Sequence, residues 1–443
     1  MTQAIRHDAM RARNLALVLG EVSTRGSVTR AALAEITGLA KTTVSKLVGD
    51  LIEAGLVIET GIVRAGERGR PGMEVRVSGR RIAAIGLEIN VDYLAAHVVD
   101  LTRSVRLRRT QPVDNRMGSP GDVITILQDL ALSVVDEAVD TGLRVVGGVL
   151  AVPGTVDLAT GTVHSAPNLG WRDVPLLSML RMPFPMRVDN EANLAALGEL
   201  WFGAGHPDFL HVSGEIGVGA GLIVRGELFR GFRGFAGELG HVVVSPGGPP
   251  CRCGGHGCLE RYAGQDALLS AAGLAPPETA PEERLLTGAE RSAGHGTEHS
   301  AEHGAEHGTE HSAGHGTGHG TGHGTGHSAG HGTGVTELLR ELDAGNRDAL
   351  AACERAGWAL GIALSSAVNL VDPGTIVLGG IYAPLFPWIG GVVTETLTAR
   401  LGQMREVVPS VEVSRLGTEA ATLGAAGQVI QQVIADPAAL LNA

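Results

Sequence analysis

"GELGHVVVSPGGPPCRCGGHGCLE", residues 237–260, gathers two histidines and three of the four cysteines of a 443-residue chain. The pattern runs His241, Cys251, Cys253, Cys258. Three thiolates and one imidazole suit a closed tetrahedral Zn²⁺ site, and glycines 254, 255 and 257 let the loop fold tightly around it. His256 sits inside the loop as a competing ligand. The bland alternative, unliganded thiols in a buried turn, fits poorly with so polar and Gly-rich a segment. Glu238 and Glu260 bracket the cluster, so a metal-pinned loop sets two carboxylates beside one pocket. Carboxylates next to a metal-oriented histidine are good acceptors for the vicinal hydroxyls of a sugar.

The rest of the chain frames this segment. Its length calls for two or three domains, and 44% hydrophobic with 19% charged residues is a globular composition. Aromatics are only 3% against 65 glycines, so cores must be built from Ala, Val, Leu and Ile. No apolar run reaches the roughly eighteen residues of a membrane span, and "MTQAIRHDAMRARN" lacks a signal peptide's apolar stretch. These features lead to the expectation of a cytoplasmic protein with no membrane partner, in which clustered cysteines point to metal rather than disulfides. Charge is uneven: residues 1–81 hold 13 Lys and Arg against 8 Asp and Glu, while the whole chain is −12. A basic head on an acidic body suggests nucleic-acid binding by the head.

That head reads as a helix-turn-helix. Leu15, Leu17, Val18 and Val22 give a first helix its expected buried stripe; Thr29 caps a second from Ala31 to Thr37; Gly38 turns into a third from about Lys41 to Ala54. In the third, Val44, Leu47, Val48 and Leu51 fall on one face. Lys41, Thr42, Thr43, Ser45 and Lys46 are left free where a recognition helix meets DNA, with Arg30 a further candidate contact. Two β-prone runs in "IETGIVRAGERGRPGMEVRVSG" form a wing whose Arg64, Arg68 and Arg70 would reach phosphates or a minor groove. A small protein-interaction module with a hairpin is the competing reading. The basic balance together with the polar face favours operator DNA.

At this point the chain resembles the ROK family (repressors, open reading frames and sugar kinases), and within it the sugar-responsive regulators with an N-terminal winged helix-turn-helix. The resemblance rests on "GELGH…CRCGGHGCLE", "VDNEANLAALGELWFGAG" and "VNLVDPGTIVLGG". It implies an α/β fold: a winged helix-turn-helix over about 1–80, then a two-lobed actin-like ATPase (ROK) domain. Its first lobe is expected at 82–197 and its second at 198–415. The second would carry the zinc site and a His-rich disordered insertion over 290–334, and a C-terminal segment, 416–443, would pack its helix on the first lobe. It also implies zinc ligation by His241, Cys251, Cys253 and Cys258, and sugar contacts from Asn168, Asn190, Glu191, Glu238, His241 and Glu260. A sugar or phosphosugar effector and a homodimer or higher homo-oligomer follow from the same resemblance.

The phosphate loops depart from the family kinases. Glu191 stands where those enzymes place an aspartate as general base, and the added methylene displaces the carboxylate. The D-x-G-G-T loop is replaced by Asn90, Val91 and Asp92 in "GLEINVDYLAAHVVD". The second loop, "SGEIGVGAG", keeps its glycines but carries Glu215, whose charge about 5 Å from a phosphate would cost on the order of 3 kcal/mol. A sensor is therefore expected, with no catalytic residue, in preference to the alternative of an ATP-dependent sugar kinase that also binds DNA. Finally, ten histidines recur at every fourth residue from His295 to His331. The intervening glycines oppose a helix, so a disordered insertion that binds metals loosely is expected, with a metal-responsive regulator as a third reading.

Overall fold

The computed structural model describes residues 2–63, 72–116, 118–274, 333–403 and 405–441. Arg64, Arg68 and Arg70 of the expected wing tip, and the histidine tract, lie outside the described residues.

The N-terminal elements are α1 (Thr2–Arg25), β1 (Val28–Thr29), α2 (Arg30–Thr37), α3 (Lys41–Glu53), β2 (Val57–Val63) and β3 (Gly72–Val77). Thr29 caps α2 by accepting a hydrogen bond from the Ala32 N–H, and Gly38 ends it in the left-handed region at φ 68°. The stripe of α3 is buried as its spacing requires, with Val44, Leu47, Val48 and Leu51 all in the core. In α1 the stripe is Leu15, Val18, Leu19 and Val22, whereas Leu17 is 41% exposed. Two residues along a helix is roughly 200° around its axis, which turns Leu17 away from the face that Leu15 defines. Arg11 on α1 pairs with Asp50 on α3 at 2.9 Å, holding the recognition helix against the first.

Two sheets of like connectivity follow. In the first, β4 (Ile82–Ile89), β5 (Tyr93–Asp100) and β6 (Val105–Pro112) form an antiparallel meander, beside which β7 (Arg144–Val152) and β11 (Met186–Asn190) add in parallel. Strand order is β11-β7-β4-β5-β6. β4 and β5 are buried along their whole length, so they read as continuous apolar runs rather than alternation. α4 (Pro120–Asp140) covers one face with Val123, Leu127, Ala131 and Val134. Between β7 and β11 lie the small strands β8 (Thr155–Asp157), β9 (Thr162–Ala166) and β10 (Trp171–Val174), then the single turn α5 (Leu176–Met179).

In the second sheet β12 (Phe209–Gly214), β13 (Val218–Val224) and β14 (Glu227–Phe229) are the meander, and β15 (Thr375–Gly380) and β16 (Ser410–Val413) are the parallel additions. The order β14-β13-β12-β15-β16 repeats that of the first sheet. Its helices are α6 (Glu191–Phe202), α7 (Glu260–Ala263), α8 (Gln265–Ala271), α9 (Thr333–Asp343), α10 (Arg347–Val371) and α11 (Tyr382–Leu401). α12 (Ala420–Ala435) returns to lie on β4, β5 and β7, and the short α13 (Ala438–Leu441) follows it.

α12 meets both α6 and α1. Its approach to α6 is backbone to backbone: a Cβ on Gly424 would strike the Leu194 carbonyl, and one on Gly198 the Ala420 carbonyl. Two glycines facing each other at one crossing are what permit so short an interaxial distance.

Candidate functional site

A cavity of about 670 Å³ opens where α6, β13, the β8–β9 hairpin and the Cys-rich loop converge. Asn168, Asn190, Glu191, Glu238, His241 and Glu260 all line it, so residues up to 92 positions apart in sequence share one wall. Asn190 is fixed by its own helix. Its side-chain oxygen caps α6 by accepting from the Asn193 N–H at 3.1 Å, while its amide donates to the Gly154 carbonyl at 2.9 Å. Glu191 is therefore presented at the first turn of α6, directed at the cavity. Glu260 packs against Gly217, where any Cβ would collide with its carboxylate. That glycine is retained for a close approach and not only for a turn.

Beside these groups lies the metal-type cluster. The ligand atoms of His241, Cys251, Cys253 and Cys258 all fall within 4.8 Å of one another. Nδ1 of His241 is 3.8 Å from Sγ of Cys251, and the Cys253 and Cys258 sulfurs are 3.7 Å apart. Those separations match the edge of a tetrahedron, about 3.8 Å for ligands about 2.3 Å from a centre. The donor set thus fits a metal ion. His256 is exposed and does not belong to the group. His241 faces both ways: Nδ1 turns to the cysteines, while Nε2 lies 3.9 Å from Glu238 Oε2 at the cavity.

Three cavity features were not singled out from the sequence. Asp189, just before Asn190, is 3% exposed and holds Arg230 in a two-point pair at 2.9 and 2.5 Å. Gln428 on α12 donates to the same carboxylate at 3.4 Å, which ties the C-terminal helix to the cavity wall. Arg252 donates to Asn168 Oδ1 at 3.1 Å. The third feature is the loop from Arg230 to Gly237, every residue of which lines the cavity.

The segments around Asn90 and Glu215, compared above with the kinases' phosphate loops, meet directly. Asn90 Nδ2 lies 3.4 Å from Glu215 Oε2, and Gln265 Nε2 donates to Asp92 Oδ2 at 3.2 Å. Asp92 is also paired with Arg116 at 2.8 Å. Burial, then the neighbouring Glu191 and Glu88 carboxylates, push Glu215 well above the ordinary carboxylate range. That shift weakens the charge repulsion expected of Glu215, whose side chain is instead engaged by Asn90. Glu191 is raised to about 8 and Glu88 to about 7, chiefly by burial. Tyr93 donates to Glu88 at 2.9 Å, while the second carboxyl oxygen of Glu88 is buried with no hydrogen-bond partner among the described residues.

On the head, Lys41, Thr42, Ser45 and Lys46 are exposed and Thr43 is half-buried. Arg30 is already engaged, with Glu59 of the wing at 2.7 Å and the Ser45 carbonyl at 2.9 Å. It braces the recognition helix against β2.

The ROK family profile matches residues 84–432, and a MarR family profile matches residues 15–68. The chain belongs to the ROK family. This ROK chain is 28% identical to the xylose repressor of Bacillus spizizenii over 429 residues, covering 95% of this chain and 96% of that one. A solved ROK family transcriptional regulator, described as a homologue of the E. coli MLC protein, superposes with a TM-score of 0.70 at 20% identity, covering 98% and 100%. That match shows the shared fold. A ROK family glucokinase from Streptomyces griseus, solved with glucose and AMPPNP, gives a TM-score of 0.57 at 26% identity, covering 78% of this ROK chain and 98% of the enzyme. No described helix is long and apolar enough to cross a membrane.

Proposed function

We propose that this ROK chain is a transcriptional repressor whose grip on operator DNA is controlled by a sugar bound in the cavity, without phosphoryl transfer. The observation that carries the reading is a contrast between two groups of residues. Hydroxyl-accepting groups converge on the cavity, whereas in the segments that stand, by family resemblance, for the kinases' phosphate loops, Glu215 and Asn90 contact each other. The MarR-type match ahead of the ROK match, and the near-full-length likeness to a xylose repressor, support the DNA-binding half. The likeness to a glucokinase supports the rival kinase reading, against which Glu215 and the lost glycines of the first loop weigh.

In this mechanism Asn168, Glu191, Glu238 and Glu260 accept hydrogen bonds from sugar hydroxyls, and His241 adds its outer nitrogen. A zinc ion held by His241, Cys251, Cys253 and Cys258 supplies a structural staple for a loop too rich in Pro and Gly to hold itself by packing. Asn190 acts through the cap of α6. A sugar pulling on Glu191 bears on the N-terminus of α6; the glycine crossing passes displacement to α12, and α12 passes it to α1. Gln428, through Asp189 and Arg230, gives α12 a second connection to the cavity. Two such heads in a homodimer would read paired half-sites through Lys41, Thr42, Thr43, Ser45 and Lys46, and a shift of α1 changes their spacing.

Fluorescence anisotropy on the chain's own upstream DNA, at fixed salt and without nucleotide, tests the reading with a panel of sugars and phosphosugars. One member should weaken binding. Sugar-dependent ATP turnover at ordinary kinase rates would instead establish the enzyme.

A further inference from the structure

The loop from Arg230 to Gly237 reads RGFRGFAG. Its base is tied down. Arg230 is clamped by Asp189, the Ala236 N–H donates to the Arg230 carbonyl at 3.2 Å, and the Ala220 N–H donates to the Gly237 carbonyl at 3.1 Å. Gly231 and Gly234, at φ 70° and 82°, carry the chain through turns that L side chains resist. Between those fixed points stand two phenylalanines at the cavity mouth, Phe232 at 99% exposure and Phe235 at 53%.

Single exposed apolar side chains need no explanation; two aromatic rings on one anchored loop, both lining the same cavity as Glu191, Glu238 and Glu260, do. The cavity is also large for one sugar. Allowing each heavy atom the roughly 30 Å³ share of a water, a twelve-heavy-atom hexose needs at most about 360 Å³, about half of the 670 Å³ available. A disaccharide's twenty-three heavy atoms come to at most about 690 Å³ on the same generous basis, so a second ring has room. The carboxyl groups supply acceptors for the hydroxyls of a first ring, and His241, whose Nδ1 turns to the cysteines, offers its outer Nε2–H as a donor. The phenylalanines offer what a second ring presents, a C–H face or an aromatic face with few hydrogen-bonding groups.

We propose that the Arg230–Gly237 loop forms a second subsite, and that the effector is a two-ring glycoside whose second ring packs against Phe232 and Phe235. This rests on the sugar-sensing reading above and narrows its ligand class. Asn168, Glu191 and Glu260 hold the first ring; the aromatic loop selects by what is attached to it.

Isothermal titration of the full zinc-loaded chain tests this with D-xylose, D-glucose and N-acetylglucosamine, each against its β-linked disaccharide and its phenyl β-glycoside. At least one two-ring compound should bind tenfold or more tighter than its own monosaccharide. Joint replacement Phe232→Ala and Phe235→Ala should bring that ratio below threefold. Phe229→Ala, at an exposed ring outside the cavity, should leave it unchanged. All the replaced rings are solvent-exposed, so the variants should keep the wild-type melting temperature. If a monosaccharide binds as tightly as every derivative and still releases operator, the second subsite is overturned and the repressor reading stands. Equal weakening of both ligand types by the double variant also overturns it, since the loop then covers the first ring. Absence of binding by the whole panel overturns the subsite together with the sugar reading.

Discussion

Replacing Gly424 with alanine should disconnect the sugar cavity from the DNA-binding head. An added Cβ would lie 2.7 Å from the Gly198 nitrogen and 2.8 Å from the Leu194 carbonyl carbon, with the Leu194 oxygen closer still. Restoring ordinary contact, about 3.5–4.0 Å, with that oxygen requires α6 and α12 to separate by roughly 2 Å. Overpacking of this kind costs about 1–3 kcal/mol, which lowers the melting temperature by roughly 2–10 °C in a domain of this size. Allosteric coupling is itself typically about 1–3 kcal/mol, a 5–150-fold effect. Moving the crossing apart should remove most of it. The assay is operator anisotropy with and without saturating sugar, alongside calorimetric sugar affinity. Gly424→Ala should bind sugar within about fivefold of wild type, yet sugar should change its DNA affinity by less than about threefold. Leu127→Ala is the control: Leu127 is fully buried on α4, and its truncation costs about 2–5 kcal/mol without touching the crossing. Gly424→Ala with a full response, or Leu127→Ala with an equal loss, would refute the helix relay.

Three further outcomes are expected. A chain lacking residues 293–333, and so the histidine tract, should hold a single zinc by elemental analysis, and Cys258→Ser in that background should hold none and melt earlier. Glu88 and Glu191 are raised to about 7 and about 8 from 4.5, so the folded state binds more protons than the unfolded one between these values. Stability therefore falls as pH rises from about 4.5 to about 8, and Glu88→Gln should flatten that fall, read as the difference between the two melting-temperature profiles. Lys46→Ala, on the exposed face of α3, should weaken binding to all DNA sequences alike and reduce the slope of log affinity against log salt by about one.

The head was legible because its signals are local. Thr29, Gly38 and the α3 stripe each act within a few residues, and the one error, Leu17, came from reading apolar character without its angular position. The Cys-rich loop was legible for a different reason: few chemistries need three thiols and a histidine at such spacing. The sugar-facing residues came from family resemblance, since nothing local in "SAPNLGW" distinguishes Asn168 from a turn asparagine. What escaped depends on long-range pairing. Arg230 finds Asp189 across 41 residues, and Asn90 finds Glu215 across 125. Gly198 and Gly424 become meaningful only when two helices cross at both. Phe232 and Phe235 look like ordinary core aromatics until the fold leaves them at a cavity mouth.

The most direct test is operator affinity under one effective sugar, measured in parallel with no nucleotide and with Mg²⁺–ATP. The expected result is the same sugar-induced loss of DNA binding in both, with no sugar phosphate formed. A loss of binding that appears only with ATP, accompanied by phosphorylated sugar, would contradict the sensor and make this chain a kinase that reads its own product.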